Sequence, residues 1–234
     1  MQGFKPLPHD EHIKIAKNGP YLVYGGIPVN IETISSNVEG GSWEWKRGRS
    51  IEVKEQYALC RCGASANKPF CDGTHQKIGF DGTETAPRRP FDEQATTLDG
   101  PQMVLSDVEA LCAYARFCDN AGSIWNLIEH TGNAGVRSTV AHEASHCPSG
   151  RLVVRDKQTG KAIEPESKPS IGLVEDPAEA CSGPLWARGG IRVEAADGSS
   201  YEIRNRVTLC RCGASQNKPF CDGQHAAVKF TDGL

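Results

Sequence analysis

Short runs in which apolar and polar residues alternate dominate the chain, as expected of half-buried β-strands. Ser50-Ile51-Glu52-Val53-Lys54 alternates cleanly, and so does Tyr201-Glu202-Ile203-Arg204. Ile191-Arg192-Val193-Glu194 repeats the pattern and leads to Asp197-Gly198, a hairpin-turn pair. Arg151-Leu152-Val153-Val154 predicts a further strand. The period changes in the middle of the chain. Ser106-Asp107-Val108-Glu109 has capping-box spacing, and Val108, Leu111, Cys112 and Ala115 follow at helical intervals. This predicts a helix over about 107–117. Ile124 to His130 and Gly135 to His146 predict two more short helices. Cys147-Pro148 ends the last one, because a residue before proline avoids the helical region. Residues 81–100 read as a linker, and 155–180, rich in Pro, Lys and Glu, as a surface connection.

An internal repeat organises these elements. Residues 60–75 read CRCGASANKPFCDGTH and residues 210–225 read CRCGASQNKPFCDGQH. Upstream, Gly19-Pro20 leads to Gly25-Gly26-Ile27, and Gly183-Pro184 leads to Gly189-Gly190-Ile191. Phe80 and Phe230 close the copies at equal distance from His75 and His225. The chain therefore divides into a tail (1–16), a first strand-rich unit (17–95), a helical middle (96–160), a connection (161–180) and a second strand-rich unit (181–234). The expected class is α+β.

Composition narrows the function. The 234 residues carry a formal charge of −3, which argues against general affinity for nucleic acid or an anionic membrane. Lys46-Arg47-Gly48-Arg49 reads as a solvated turn. No run approaches the ~18–20 apolar residues of a membrane span, and Met1 to Pro6 lacks the apolar core of a signal peptide. A cytoplasmic location is expected, and there ten cysteines point to metal rather than disulfides. No Rossmann or P-loop glycine pattern and no nucleophile–base set is present; Gly25-Gly26 and Gly189-Gly190 read as turns. A substrate-converting enzyme is the less supported class.

Each repeat offers Cys-x-Cys, eight residues, Cys, three residues and His. Thiolate is a soft ligand that selects zinc, copper(I) or iron–sulfur clusters. Cys60 and Cys62 point the same way on an extended backbone. Cys71 and His75 are one helical turn apart, after an Asp72-Gly73 turn. Two donor pairs suit a [2Fe–2S] cluster, with Cys60 and Cys62 on one iron and Cys71 and His75 on the other. The second copy supplies Cys210 and Cys212, then Cys221 and His225. A structural zinc site with three cysteines and one histidine remains the alternative on spacing alone.

The run Cys-x-Cys-x2-Ser-x3-Pro-x-Cys-Asp-Gly-x-His resembles the mitoNEET-like CDGSH iron–sulfur family. It matches at Cys60, Cys62, Ser65, Pro69, Cys71, Asp72, Gly73 and His75, and again at Cys210, Cys212, Ser215, Pro219, Cys221, Asp222, Gly223 and His225. Thr74 and Gln224 stand where the family usually has serine. The resemblance implies a cluster held by three cysteines and one histidine, a strand-rich cap and intertwined homodimers with two clusters. A tandem copy then implies an internal pseudo-dimer, so that a monomer suffices. Ser65, Ser215, Asp72 and Asp222 are candidates for holding the loop and tuning sulfur. With one histidine per cluster the site is less negative than with four thiolates, so the potential should rise, as in Rieske centres. Histidine titration near neutral pH would further make acid loosen the clusters and couple reduction to proton uptake.

The middle adds Cys112-x5-Cys118 and Cys147-Pro148, which resembles single-cluster ferredoxins with a [3Fe–4S] or [4Fe–4S] centre. The alternative is that Cys112 is a small buried core residue. Cys181 is a candidate fourth ligand, and His142 and His146, one turn apart, are further candidates. The expected functions are electron transfer or redox sensing with a redox partner protein, donation of [2Fe–2S] to an apo iron–sulfur acceptor, or a zinc-stabilised interaction module.

Overall fold

In the computed structural model, which describes residues 11–234, two Gly-Gly pairs carry the chain from one sheet into another. The strands are β1 His12–Ile15, β2 Tyr21–Tyr24, β3 Val29–Ser36, β4 Ser42–Ile51, β5 Gln56–Leu59, β6 Thr96–Asp99, β7 Met103–Asp107, β8 Leu152–Asp156, β9 Ser170–Asp176, β10 Cys181–Arg188, β11 Arg192–Glu194 and β12 Arg206–Leu209. The helices are α1 Thr74–Lys77, α2 Phe91–Gln94, α3 Ile124–Leu127, α4 Ala134–His146 and α5 Gln224–Ala227.

One sheet has the order β11-β1-β2-β5 and a second the order β12-β10-β9-β3-β4. After β2, Gly25 and Gly26 take positive φ (82° and 62°) and the chain leaves the first sheet to enter the second as β3. After β10, Gly189 and Gly190 do the same (80° and 75°) and β11 enters the first sheet. Glycine is the residue that adopts this backbone without steric cost. Both exchanged strands pair in parallel, β11 on β1 and β3 on β9, whereas all other pairs are antiparallel. The two repeats are therefore strand-swapped into a pseudo-dimer within one chain. Their apolar faces form one core that includes Ile13, Tyr21, Val23, Ile171, Leu185 and Val207.

The middle region is a separate small layer. β6, β7 and β8 form an antiparallel sheet, and α3 and α4 cover it over Leu105, Ile124, Ile128, Val140, Leu152 and Val154. Phe117 and Ala115 dock this layer on the outer face of the second sheet, against Trp45, Val174 and Trp186. The class is α+β with a small helical insertion, and no helix among the described residues is long and apolar enough to cross a membrane.

Five expectations are corrected. No helix covers 107–117: Asp107 ends β7 opposite Leu152, and its carboxylate accepts hydrogen bonds from Arg151 and Trp125 instead of capping. One 3-10 turn follows at Glu109–Leu111, and then Tyr114 and Arg116 take positive φ, breaking the helical path. The apolar spacing is real but serves different cores, Val108 beside Phe91 and Ala115 beside Phe117. The stretch 155–180 is not only a connection, because it contains β9, a central strand. β9 is buried since sheet partners flank it and apolar layers cover both faces, so it lacks alternation. Tyr201–Arg204 forms no strand: Tyr201 N donates to Val193 O on β11 (3.0 Å), and the pairing stops there because Glu202 accepts from the Phe91 amide (2.6 Å). Lys46, Arg47 and Arg49 lie on β4, the edge of the second sheet, where cations discourage edge pairing. The expected tail contains β1, with Ile13 and Ile15 buried; residues 1–10, including the segment read for a signal peptide, lie outside the described residues.

Candidate metal centres

Each repeat builds the same loop with the same hydrogen bonds. Cys60 N donates to Pro69 O (2.8 Å) and Cys71 N to Ala58 O (2.9 Å); Cys210 N donates to Pro219 O (2.8 Å) and Cys221 N to Thr208 O (2.9 Å). The loop therefore folds back on the end of β5 or β12 and brings its third cysteine beside the first two. Cis peptides precede Pro69 and Pro219. Asp72 accepts from the amides of Ala66 and Thr74 (both 2.9 Å), tying the loop to the start of α1, and these bonds hold its carboxyl well below the usual range. Asp222 accepts likewise from Gln216 and Gln224. Ser65 Oγ donates to Phe70 O (2.7 Å) and accepts from Asn67 N; Ser215 repeats this with Phe220 and Asn217. The serines thus brace the loop backbone.

The donors meet in pairs. Cys60 and Cys62 Sγ lie 3.8 Å apart, and Cys210 and Cys212 Sγ 3.7 Å. Cys71 Sγ lies 3.3 Å from His75 Nδ1, and Cys221 Sγ 3.4 Å from His225 Nδ1. Two sulfurs bound at ~2.3 Å to one tetrahedral metal are ~3.8 Å apart, and a sulfur–nitrogen pair is ~3.5 Å apart. The pairs therefore fit two donors per metal. Among the described residues, no group of three such side chains converges on a point suited to a single ion. Four soft donors in two pairs fit the two irons of a [2Fe–2S] cluster.

The two sites face each other. Cys62 and Cys212 form an antiparallel bridge. A Cβ on Gly63 would fall 2.5 Å from Cys212 O, and one on Gly213 2.6 Å from Cys62 O, so the backbones touch where only glycine fits. The sites differ in cover. Cys71 and His75 are half-buried, whereas Cys221 and His225 are buried, the histidine 3% exposed. Burial pushes the Cys221 thiol well above its ordinary range and lowers His225 to about 4, keeping that imidazole neutral and able to ligate. A hydrogen bond between Cys210 and Cys212 lowers the first to about 6 and raises the second, so this pair yields one thiolate readily. Burial raises Cys62 and Cys71.

Three of the middle cysteines also meet. Cys112, Cys118 and Cys147 line one cleft with Tyr114, Phe117, Pro148 and Arg151. Burial, with the neighbouring Cys147 and Cys112, pushes the Cys118 thiol up to about 12. Cys181 does not line this cleft; it begins β10, in a setting of Asp176, Glu179 and Lys229. His142 and His146 lie ring against ring on α4, tilted by 33° (3.9 Å between ring centres), with His142 Nε2 3.2 Å from Trp43 O and His146 Nδ1 2.8 Å from His142 O.

A family profile described as "Iron-binding zinc finger CDGSH type" matches residues 18–76 and 182–226. The chain carries two CDGSH-type regions in tandem. Between the CDGSH regions, residues 98–157 match a profile described as "Divergent 4Fe-4S mono-cluster", a span that includes Cys112, Cys118 and Cys147 and excludes Cys181. Neither the curated proteins nor the solved structures compared with this chain gave a match.

Sequence reasoning passed over Arg61 and Arg211, which fill the x of each Cys-x-Cys in the CDGSH motifs. Both are buried, at 1% and 3% exposure. Arg61 Nη2 donates to Gly82 O, and its guanidinium lies by Tyr21 and Phe80. Arg211 donates to Gly183 O and Val174 O and pairs with Glu175 and Asp232. Their identity in both copies was the available signal.

Proposed function

We propose that this CDGSH protein holds two [2Fe–2S] clusters, one on Cys60, Cys62, Cys71 and His75 and one on Cys210, Cys212, Cys221 and His225, and that it passes single electrons between partner proteins. The spacing of the donor pairs carries this reading, because each pair matches one edge of a tetrahedral metal. When bound, such a cluster supplies one-electron chemistry. The protein's contribution is electrostatic and steric. Three thiolates and a neutral imidazole bring an oxidised core of charge about +2 to about −1, where four thiolates would give about −2, so an added electron is less disfavoured. Asp72, Asp222, Ser65 and Ser215 fix the loops that aim the ligands.

The cleft of Cys112, Cys118 and Cys147 is assigned to a third cluster. Three cysteines suffice for [3Fe–4S], and [4Fe–4S] needs one further ligand that is not Cys181 in this arrangement. The expected location is the cytoplasm.

Anaerobic purification with iron, sulfide and zinc counts tests the reading. About seven or eight irons per chain with matching sulfide support three clusters, and about four support the CDGSH pair alone. A colourless protein with zinc and no sulfide would leave an interaction module. Donation of [2Fe–2S] to an apo-acceptor is the second reading, favoured by the half-buried His75. Mixing holo protein with an apo-ferredoxin and following both visible spectra tests it; no transfer in either redox state removes it.

A further inference from the structure

The two CDGSH sites differ in their surroundings more than in their ligands. Asn217 Nδ2, in the second loop, donates to Ala110 O (2.8 Å). A Cβ on Gly223 would lie 3.1 Å from Tyr114 Cβ and 3.4 Å from Cys112 O, so the Cys221–His225 end of the second site abuts the loop carrying Cys112. Arg116 of that loop pairs with Asp176 (2.7 Å), and both lie among the charges around His225. The equivalent Gly73 of the first site has no heavy atom within 4 Å of its Cβ direction. The opposite end of the second site, Cys212, bridges Cys62 of the first. The donor sets therefore form a line: Cys112, Cys118 and Cys147; then Cys221 and His225; then Cys210 and Cys212; then Cys60 and Cys62; then Cys71 and the half-buried His75.

Charge gives the line a direction. Arg211 is neutralised by Glu175 and Asp232. At the first site Gly82 occupies the place of Asp232, and among the described residues no carboxylate lies within ion-pair distance of Arg61. The carboxylate nearest in the chain, Asp81, feels Arg61 but is exposed, so the buried cation beside the first site is less compensated than Arg211 and favours an added electron there, because Coulomb attraction is strong where water is excluded.

We propose that the protein is a directional relay in which the second CDGSH site is the obligatory link between the middle centre and the first site, and the first site is the outlet. This rests on the three-cluster reading above. With clusters bound, Cys112, Cys118 and Cys147 would hold the centre that accepts one electron from a one-electron donor protein, the ligands of the second site would hold the link, and Cys71 and His75 would present the outlet to a one-electron acceptor protein, one electron entering for each that leaves. No proton or bond need be exchanged for the balance.

The test is an anaerobic redox titration of the full chain by electron paramagnetic resonance, with Asp232→Asn as the assigning variant. Removing that carboxylate leaves every ligand in place and takes one negative charge from beside Arg211, which keeps Glu175. The lower-potential [2Fe–2S] step should shift upward while the higher one stays. The spin of that shifted centre, and not the other, should broaden the signal of the middle centre. If Asp232→Asn does not fold, His225→Cys keeps four ligands and marks the same site by a changed signal. A shift of the higher step, or broadening by the unshifted or both centres, overturns the relay while leaving the clusters. About four irons per chain overturns the third cluster, and the relay with it.

Discussion

Cys62 and Cys212 face each other across one antiparallel bridge, so a candidate ligand of one site lies against its counterpart in the other. The contact depends on Gly63 and Gly213, whose positive φ values (76° and 81°) and missing side chains admit the facing carbonyl. Gly63→Ala should destabilise by at least about 1–3 kcal/mol from backbone strain alone, and the overlap with Cys212 O adds to it. Because the contact is reciprocal, Gly213→Ala should cost about as much. Thermal unfolding by circular dichroism reads this; an unchanged midpoint in either variant would mean the bridge is dispensable.

Replacing the candidate ligand His75 by Cys adds a negative charge at the first site. The cluster should remain and its potential should fall by on the order of 0.1 V. His225→Cys should do the same at the second site. Potentiometry of each variant decides; an unchanged potential with the cluster intact means that histidine is not a ligand.

Access differs between the sites, and loss of metal should follow it. A chelator reaches the half-buried Cys71–His75 end more readily than Cys221–His225, which lies under the Tyr114–Arg116 loop. Bleaching with a water-soluble chelator should therefore be biphasic, with one cluster per chain lost first. Tyr114→Ala should speed the slow phase. A single phase in the parent protein would count against the difference in cover.

Arg206 ties the second repeat to the middle layer. From β12 it donates to Cys147 O (2.7 Å), Ala144 O (2.8 Å) and Leu152 O (3.2 Å), and it pairs with Glu164. Arg206→Ala removes the side-chain donor from all three carbonyls, leaving Cys147 O with Gly150 N (3.2 Å) and Ala144 O with Cys147 N (3.2 Å), strips Glu164 of this partner, and should cost about 2 kcal/mol. It should release iron from the middle before the CDGSH sites. Iron counts and the visible spectrum check this; retention of all iron would show that Cys147 needs no such anchor.

The repeat made the candidate ligands and their pairing legible, because sixteen contiguous residues recur with two changes. α4 and the Ile124–His130 turn were also legible, since their signals are local. β9 was hidden because its pairing with β3 joins residues far apart in the chain, and burial on both faces erases alternation. The Cys112 loop was misread as a helix because apolar spacing does not reveal that Val108 and Ala115 serve different cores. Nothing local could show that Cys112 would sit by the second site, since only the packed fold brings Gly223 to it.

Glu143 supplies a pH dependence that can be measured away from the ligands. It is 1% exposed on α4, its Oε1 accepts from Ala121 N (3.0 Å), and its Oε2 has no partner. Burial raises its pKa to about 7, from an ordinary value of 4.5. A carboxyl raised in the folded state binds its proton more tightly there than when unfolded. Its stabilising effect is complete below the unfolded value and is lost as pH rises through about 7. The loss should be on the order of 1–2 kcal/mol, allowing for partial solvent screening. Glu143→Gln keeps the acceptor for Ala121 and cannot ionise. Against the parent, it should already be more stable at pH 6, by a margin that grows across a pH 6–8 series, read by denaturant unfolding of the holo protein. Parallel curves for the two proteins across that range would show that Glu143 is already ionised in the fold.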